Sequence, residues 1–246
     1  MDGKRWCCLW ACTIMGLASV GCTNLKTEPK RETPLLVTLR ETFDLPEVSD
    51  NWSFCTPGLW HVASEGDRRF LQMNEPPKRP MLPGVRRPQE YAIYNKYEFR
   101  SFNLSCRVRV DCDPSVRGRD VVIIFGRQDK THYYYIHLSN RSDTVHNMLI
   151  RVDGDTRQPL LPAGSLPLTL TDNAWHKVDI QRDVEKGTIT VYFDYDAGHR
   201  EPLIQITDRT YEWGFVGLGS FNDYGSFGRV VIEGEARMPA QLPAID

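Results

Sequence analysis

The chain has no excess of either charge, with 30 Lys and Arg against 32 Asp and Glu and a formal net charge of -2. Without a basic field or a basic amphipathic helix there is nothing to hold a phosphate backbone, so nucleic acid is excluded as a partner. Long apolar runs are missing as well. The longest, Trp6 to Val20, falls short of the roughly 20 residues that a comfortable membrane span needs. No Cys/His spacing resembles a closed zinc site, and no internal repeat or low-complexity tract is present. The absence of long amphipathic helices and of βαβ alternation removes helical bundles and doubly wound α/β folds.

What is present begins at the N-terminus. Lys4 and Arg5 precede the apolar run, and small residues follow it, which reads as a secretory signal over residues 1–21. Ser19-Val20-Gly21-Cys22 resembles the bacterial lipoprotein processing box, with Ser19 where leucine is usual. That resemblance implies a lipid on Cys22, membrane contact through the N-terminal lipid only, and a place in the cell envelope, either anchored to the outer membrane or periplasmic or secreted. An ordinary cleaved signal or an uncleaved anchor is the alternative. Residues 22–34 are polar and proline-containing, as a solvated tether is, and a single folded domain is expected over 35–236, followed by a loose tail over 237–246. Of seven cysteines, Cys7, Cys8 and Cys12 leave with the signal. Cys55, Cys106 and Cys112 remain, and an oxidising compartment allows one disulfide, with Cys55 as the favoured partner of either of the others.

The most informative text is Asp172 to Arg182 followed by Gly187 to Asp194. Polar and apolar residues alternate in both, and Glu185-Lys186-Gly187 supplies a turn, which predicts an antiparallel hairpin. Further strands are predicted at 99–111, 120–127, 131–139, 146–153, 203–207, 215–221 and 228–233, with short strands between Trp52 and Met73. The proline-rich stretch 74–89 must be a loop, and its Lys78, Arg79, Arg86 and Arg87 form a small cationic cluster. Many short strands with Gly, Pro and Asp turns predict an all-β, two-sheet antiparallel jelly-roll sandwich.

Strand alternation sorts the densest polar-aromatic text into faces. With Ile136 and Leu138 in the core, Tyr133, Tyr135 and His137 share the opposite face. With Met148, Ile150 and Val152 in the core, Asn147, Leu149 and Arg151 point outward, and Arg127 joins them if Val122 and Ile124 face inward. An open face presenting Tyr133, Tyr135, His137, Asn147 and Arg151 has the ingredients of a sugar site, because aromatic rings cover pyranose faces while Asn and Arg offer paired donors. Plain decoration of a half-buried sheet is the alternative.

The Trp175-His176-x-Val178-x-Ile180-x-Arg182 strand and its partner ending in Asp194 resemble the hallmark of laminin-G-like and concanavalin A-like jelly rolls. Tyr133 to Leu138, His146-Asn147, Trp175-His176 and Trp213 to Asp223 with Gly225 and Phe227 are together similar to bacterial secreted domains of the 3-keto-disaccharide hydrolase and 3-keto-glycoside lyase group. This likeness implies a sugar-handling envelope protein, with proton abstraction beside a ketone as its chemistry. If there is catalysis, face-sorting and residue type make His137 the acid/base, Asp129 or Asp143 the group that orients it or helps hold a cation, and Arg127 or Arg151 the group that stabilises an enolate oxygen. The group's Asn-Ser-Gly-Ile strand is replaced by Arg119 to Arg127, of which only Arg127 matches, and its Glu-x-Gln strand is absent. So is the Glu-x-Asp-x-x-Glu strand of jelly-roll glucanases. Related jelly rolls commonly hold calcium; Asp153-Gly154-Asp155 and Asn222-Asp223 read equally as its ligands or as turns.

The expectation is therefore a carbohydrate-binding envelope protein, whose partner is an oligo- or polysaccharide held through the concave sheet. A 3-keto-glycoside hydrolase or lyase and a structural or protein-binding sandwich are the alternatives.

Overall fold

The structure, a computed structural model, describes residues 33–44, 48–78, 87–196 and 201–245. Cys22, the signal segment and Arg79 and Arg86 of the proline-rich loop lie outside the described residues. The compact unit runs from Pro34 to Asp246. Its elements in chain order are β1 (Leu35–Glu41), α1 (Val48–Asn51), β2 (Trp52–Phe54), β3 (Trp60–Glu65), β4 (Arg68–Met73), β5 (Glu90–Tyr94), β6 (Glu98–Val110) and β7 (Asp120–Asp129). They continue with β8 (His132–Ser139), β9 (Met148–Asp153), β10 (Thr156–Pro159), β11 (His176–Asp183), β12 (Thr188–Phe193), β13 (Ile204–Thr207), β14 (Phe215–Ser220) and β15 (Gly225–Arg237). No helix among the described residues is long and apolar enough to cross a membrane.

Two antiparallel sheets hold these strands. Sheet A runs β13-β12-β11-β6-β15-β4-β3, with β1 also on β15, and sheet B runs β10-β9-β8-β7-β14-β5-β2. Neighbours distant in sequence pair because the chain returns across the sandwich, so this is the expected jelly roll. Between the sheets, Leu104, Cys106, Val108, Val178, Ile180 and Ile232 of sheet A meet Val121, Ile123, Phe125, Tyr134, Ile136 and Leu149 of sheet B.

The Trp175–Asp194 hairpin forms as read, with Val178 opposite Phe193 and Ile180 opposite Val191. Each hallmark residue has a packing role. Val178 and Ile180 enter the core, and His176 joins Asp172 and Asp194 at 3.0 and 2.7 Å. Arg182 is buried and donates to the carbonyls of Gly187, Asp208 and Tyr211 at 3.0, 2.8 and 3.2 Å. A guanidinium with several donors in a fixed fork can gather loop carbonyls in this way. The motif thus specifies architecture.

The cysteine expectation is corrected. Cys55, Cys106 and Cys112 are all buried thiols outside any disulfide. Cys55 packs in an apolar cluster on the outer face of sheet B, whereas Cys106 and Cys112 face the core between the sheets. A sheet therefore stands between Cys55 and either partner, and burial pushes the Cys112 thiol up to about 12. The C-terminal stretch read as a loose tail is docked: Pro243 is buried, the Ala244 carbonyl accepts from Arg127 at 2.6 Å, and Ile245 packs on the outer face of sheet B.

Candidate functional site

Sheet B is apolar on both faces. Its outer face carries Tyr91, Val122, Ile124, Tyr133, Tyr135, Met148, Ile150, Val152, Phe215 and Phe221 as one buried cluster. Tyr133, Tyr135 and His137 do share this face, with successive ring centroids 6.1 Å apart, but they are 3, 0 and 2 % exposed. They are covered where an open sugar platform was expected.

The face assignment of β9 is reversed. His137 stands opposite Met148, Tyr135 opposite Ile150 and Tyr133 opposite Val152, so Met148, Ile150 and Val152 lie on the outer face and Leu149 faces the core. Directly opposed residues share a face, and a strand apolar on both sides gives no alternation from which to choose. Arg151 accordingly lies on Tyr134's side, where it bonds Asp208 at 2.6 Å and Thr210 at 2.7 Å. Arg127 does reach the outer face, by another route. Val122 and Ile124 already point outward, and a bulge at Gly126, with φ +60°, shifts the alternation so that Arg127 joins them. It then packs over the Tyr91 ring at 5.2 Å.

Asn147 is likewise no surface group. With φ +46° and 1 % exposure, it donates to the Ser139 and Arg141 carbonyls at 2.6 and 3.0 Å and accepts from Ser139 N and Thr169 Oγ1 at 3.0 and 2.6 Å. Its hydrogen-bonding capacity is used in fixing the β8–β9 connection. Asp129 sits in the β7–β8 turn with Thr131 and His132, roughly 17 Å along the strand from His137 at about 3.4 Å per residue. His137, Arg127, Arg151 and Asp129 therefore do not converge.

What does surround His137 is a sealed polar group built on Asp120, a residue that sequence reasoning missed. Its Nε2 lies 3.5 Å from Asp120 Oδ2, and its ring stacks on Phe221 at 4.8 Å and lies 4.9 Å from that of His146. Asp120 accepts from Ser220 Oγ and Phe221 N at 2.8 and 2.9 Å, and its own N–H donates to Asp223 at 3.1 Å. Burial, and then the Asp120 charge, pushes Asp223 up to about 6. Asp143 belongs to the same end of the sheet through His146; burial opposes its ionisation, but the N–H groups of Val145 and His146 and the His146 imidazole hold it below the usual carboxylate range. Polar sequence neighbours in a predicted strand gave no sign of this cluster, because its members come from four separate segments.

The loop ends nominated for calcium do not meet. Asp153 faces His132 at one end of sheet B, while Asp223 lies by Asp120 at the other with its oxygens occupied by Asp120 N and Cys112 Sγ. Among the described residues no group of three or more His, Cys, Asp or Glu is placed to hold a metal.

Sheet A presents the opposite surface. A groove of about 270 Å³ opens over its outer face beside Trp175, lined by Phe70, Arg107 and Arg229 and by residues of the β3–β4 turn. Arg107 points outward because Cys106 and Val108 fill the core. Trp175 packs edge-on to Phe70 at 5.1 Å, the Arg109 guanidinium lies 4.7 Å from its ring centre, and its Nε1 donates to Glu65 at 3.1 Å. Glu65 also accepts from Arg109, and these two bonds hold its carboxyl below the usual range. Arg109 in turn bonds Asp111, which accepts from Gln72 and Ser226 at 2.9 and 2.6 Å. An indole fixed in this way keeps its orientation before any ligand arrives, which lowers the ordering cost of binding. A second, polar groove of about 300 Å³ follows along β6, β11 and β12, with Asn103, Asp179, Gln181 and Tyr192 in its lining.

No family model and no curated protein sequence matches the chain. Solved structures do. The carbohydrate-binding module CBM66 from Bacillus subtilis superposes with a TM-score of 0.52 at 12 % identity, over 75 % of this chain and 96 % of that one. Peanut lectin gives 0.51 at 13 % identity over 84 % of this chain and 100 % of that one. The GH43 protein BlXynB from Bacillus licheniformis gives 0.55 at 9 % identity over 79 % of this chain and 39 % of its own. The likeness is one of fold, and the chain is an all-β, two-sheet antiparallel jelly-roll sandwich with a concanavalin A-like fold.

Proposed function

We propose that this protein binds carbohydrate, and that it does so on the outer face of sheet A beside Trp175 rather than on sheet B. The observation that carries this reading is the pre-set indole at the groove wall, flanked by planar guanidinium and carboxylate groups. An aromatic surface covers the apolar face of a sugar ring, while forked donors and acceptors take its hydroxyls. The fold shared with a carbohydrate-binding module and a lectin supports the class of ligand by analogy. The test is a glycan array read with the full-length chain and with Trp175→Ala. Retention that disappears in the variant supports the reading, and retention that persists places the sugar elsewhere.

The hydrolase or lyase reading would run through His137, which stands beside Asp120 as an acid/base group and its partner would. The ring is 2 % exposed and the arginines assigned to an enolate lie apart from it, so binding without turnover is the reading adopted. Turnover of a 3-keto-glycoside that His137→Ala abolishes would reverse that choice. Attachment to the envelope through a lipid on Cys22 completes the proposal. A Cys22→Ser chain is expected to move from the membrane fraction to the soluble one, and its retention in the membrane fraction would remove the anchor.

A further inference from the structure

We infer that the Trp175 groove selects acidic sugars, such as uronates or sulfated residues, an inference that rests on the carbohydrate reading above. The charges lining the groove are not equally engaged. Glu65 is paired with Arg109 and Trp175, and Arg69 donates to the Asp44 carbonyl at 2.8 Å. Arg68, Arg107 and Arg229 have no side-chain hydrogen bond or ion pair among the described residues. Asp44 and Asp67 are exposed carboxylates in the lining, so a neutral ligand would find acceptors too. The three unengaged guanidiniums nevertheless outnumber them.

Position sharpens the case. Arg107 is half-buried on β6, opposite Gly228 on one side and Lys177 on the other, and Lys177 is already ion-paired with Asp179 at 2.8 Å. A partly desolvated guanidinium without a partner gains most from an anion that it can grip with two parallel bonds. Gly228 leaves the floor between Arg107 and the aromatic wall open, since a Cβ there would rest 3.4 Å from Phe70 and 3.7 Å from Trp175. Next to it the register of β15 against β6 shifts, and Arg229 sits at φ +50°. A bulge re-aims a side chain, and a non-glycine residue in the left-handed region is strained, so the backbone here tolerates strain at the position that brings the Arg229 cation to this groove.

Calorimetric titration of the full-length chain with uronate, sulfated and neutral oligosaccharides of equal length tests this. Acidic ligands are expected to bind about tenfold or more tightly than neutral ones, with the advantage shrinking between about 0.05 M and about 0.5 M salt. Arg107→Gln should collapse the ratio. Arg229→Gly should do the same while raising the melting temperature, because it removes the cation and the backbone strain together; a merely structural Arg229 would change stability and leave the ratio alone. Gly228→Leu should block both ligand classes. Equal affinity for acidic and neutral sugars, or a ratio untouched by Arg107→Gln, overturns the inference while leaving carbohydrate binding in place. Binding of neither class overturns the carbohydrate reading itself. A preference confined to uronate or to sulfate identifies which acid the groove takes.

Discussion

The two sheets turn different chemistry outward. Sheet A shows Arg107 in one groove and Lys177, Asp179, Gln181 and Asn103 in another, whereas the outer face of sheet B buries Tyr133, Tyr135, Met148 and Ile150 with Asp120 and His137 beside them. Tyrosine and histidine in a strand are thus no guide to a sugar platform when a further layer of chain lies over that strand. Residues that look like a site make a second core, and the face that looks plain in sequence holds the accessible indole and unengaged cations.

That contrast can be broken most sharply through sheet B. Tyr135→Ala should cost about 3–5 kcal/mol in urea unfolding, since it empties a fully buried ring position; a loss under about 1 kcal/mol would mean that the face is open after all. Asn147→Ala should cost about 2–3 kcal/mol, because it removes four hydrogen bonds, leaves the Ser139 N–H and the Thr169 hydroxyl only the bonds between Ser139 and Thr169, and places alanine at a positive φ. On sheet A, Trp175→Ala should lower stability by only about 1 kcal/mol, through the lost contacts with Phe70 and Arg109, while glycan retention falls about tenfold or more. The ratio of binding loss to stability loss is the quantity that separates the faces.

The smallest effect concerns Asp223. Its folded-state pKa is raised to about 6, so between the ordinary carboxylate value and about pH 6 the native state holds a proton that the unfolded chain has lost. Stability from this group is therefore greatest in acid and declines as pH rises through that window. Relative to the wild type, Asp223→Asn should gain stability between about pH 4 and about pH 6 and run parallel above it; denaturant midpoints at four or five pH values would show whether it does.

Strands were largely legible. The pairing of β11 with β12 and the limits of β6, β7, β8 and β14 follow from alternation and turn residues, which are local signals. Strands β1, β5 and β10 are not legible in this way: β5, Glu90-Tyr91-Ala92-Ile93-Tyr94, is buried throughout and has no alternation to report. The site was far less legible. Trp175 was noted as a hallmark of the fold, but its groove requires Phe70, Arg107 and Arg229 from three other strands, and the reversed face of β9 shows how a period of two fails once both faces are apolar.

The three separated thiols carry a last consequence. Cys55 lies in a different layer from Cys106 and Cys112 and none of the three is in a disulfide, so reductant and oxidant should leave the folding of this sandwich unchanged. Such a domain can reach the same native state in a reducing compartment and in an oxidising one.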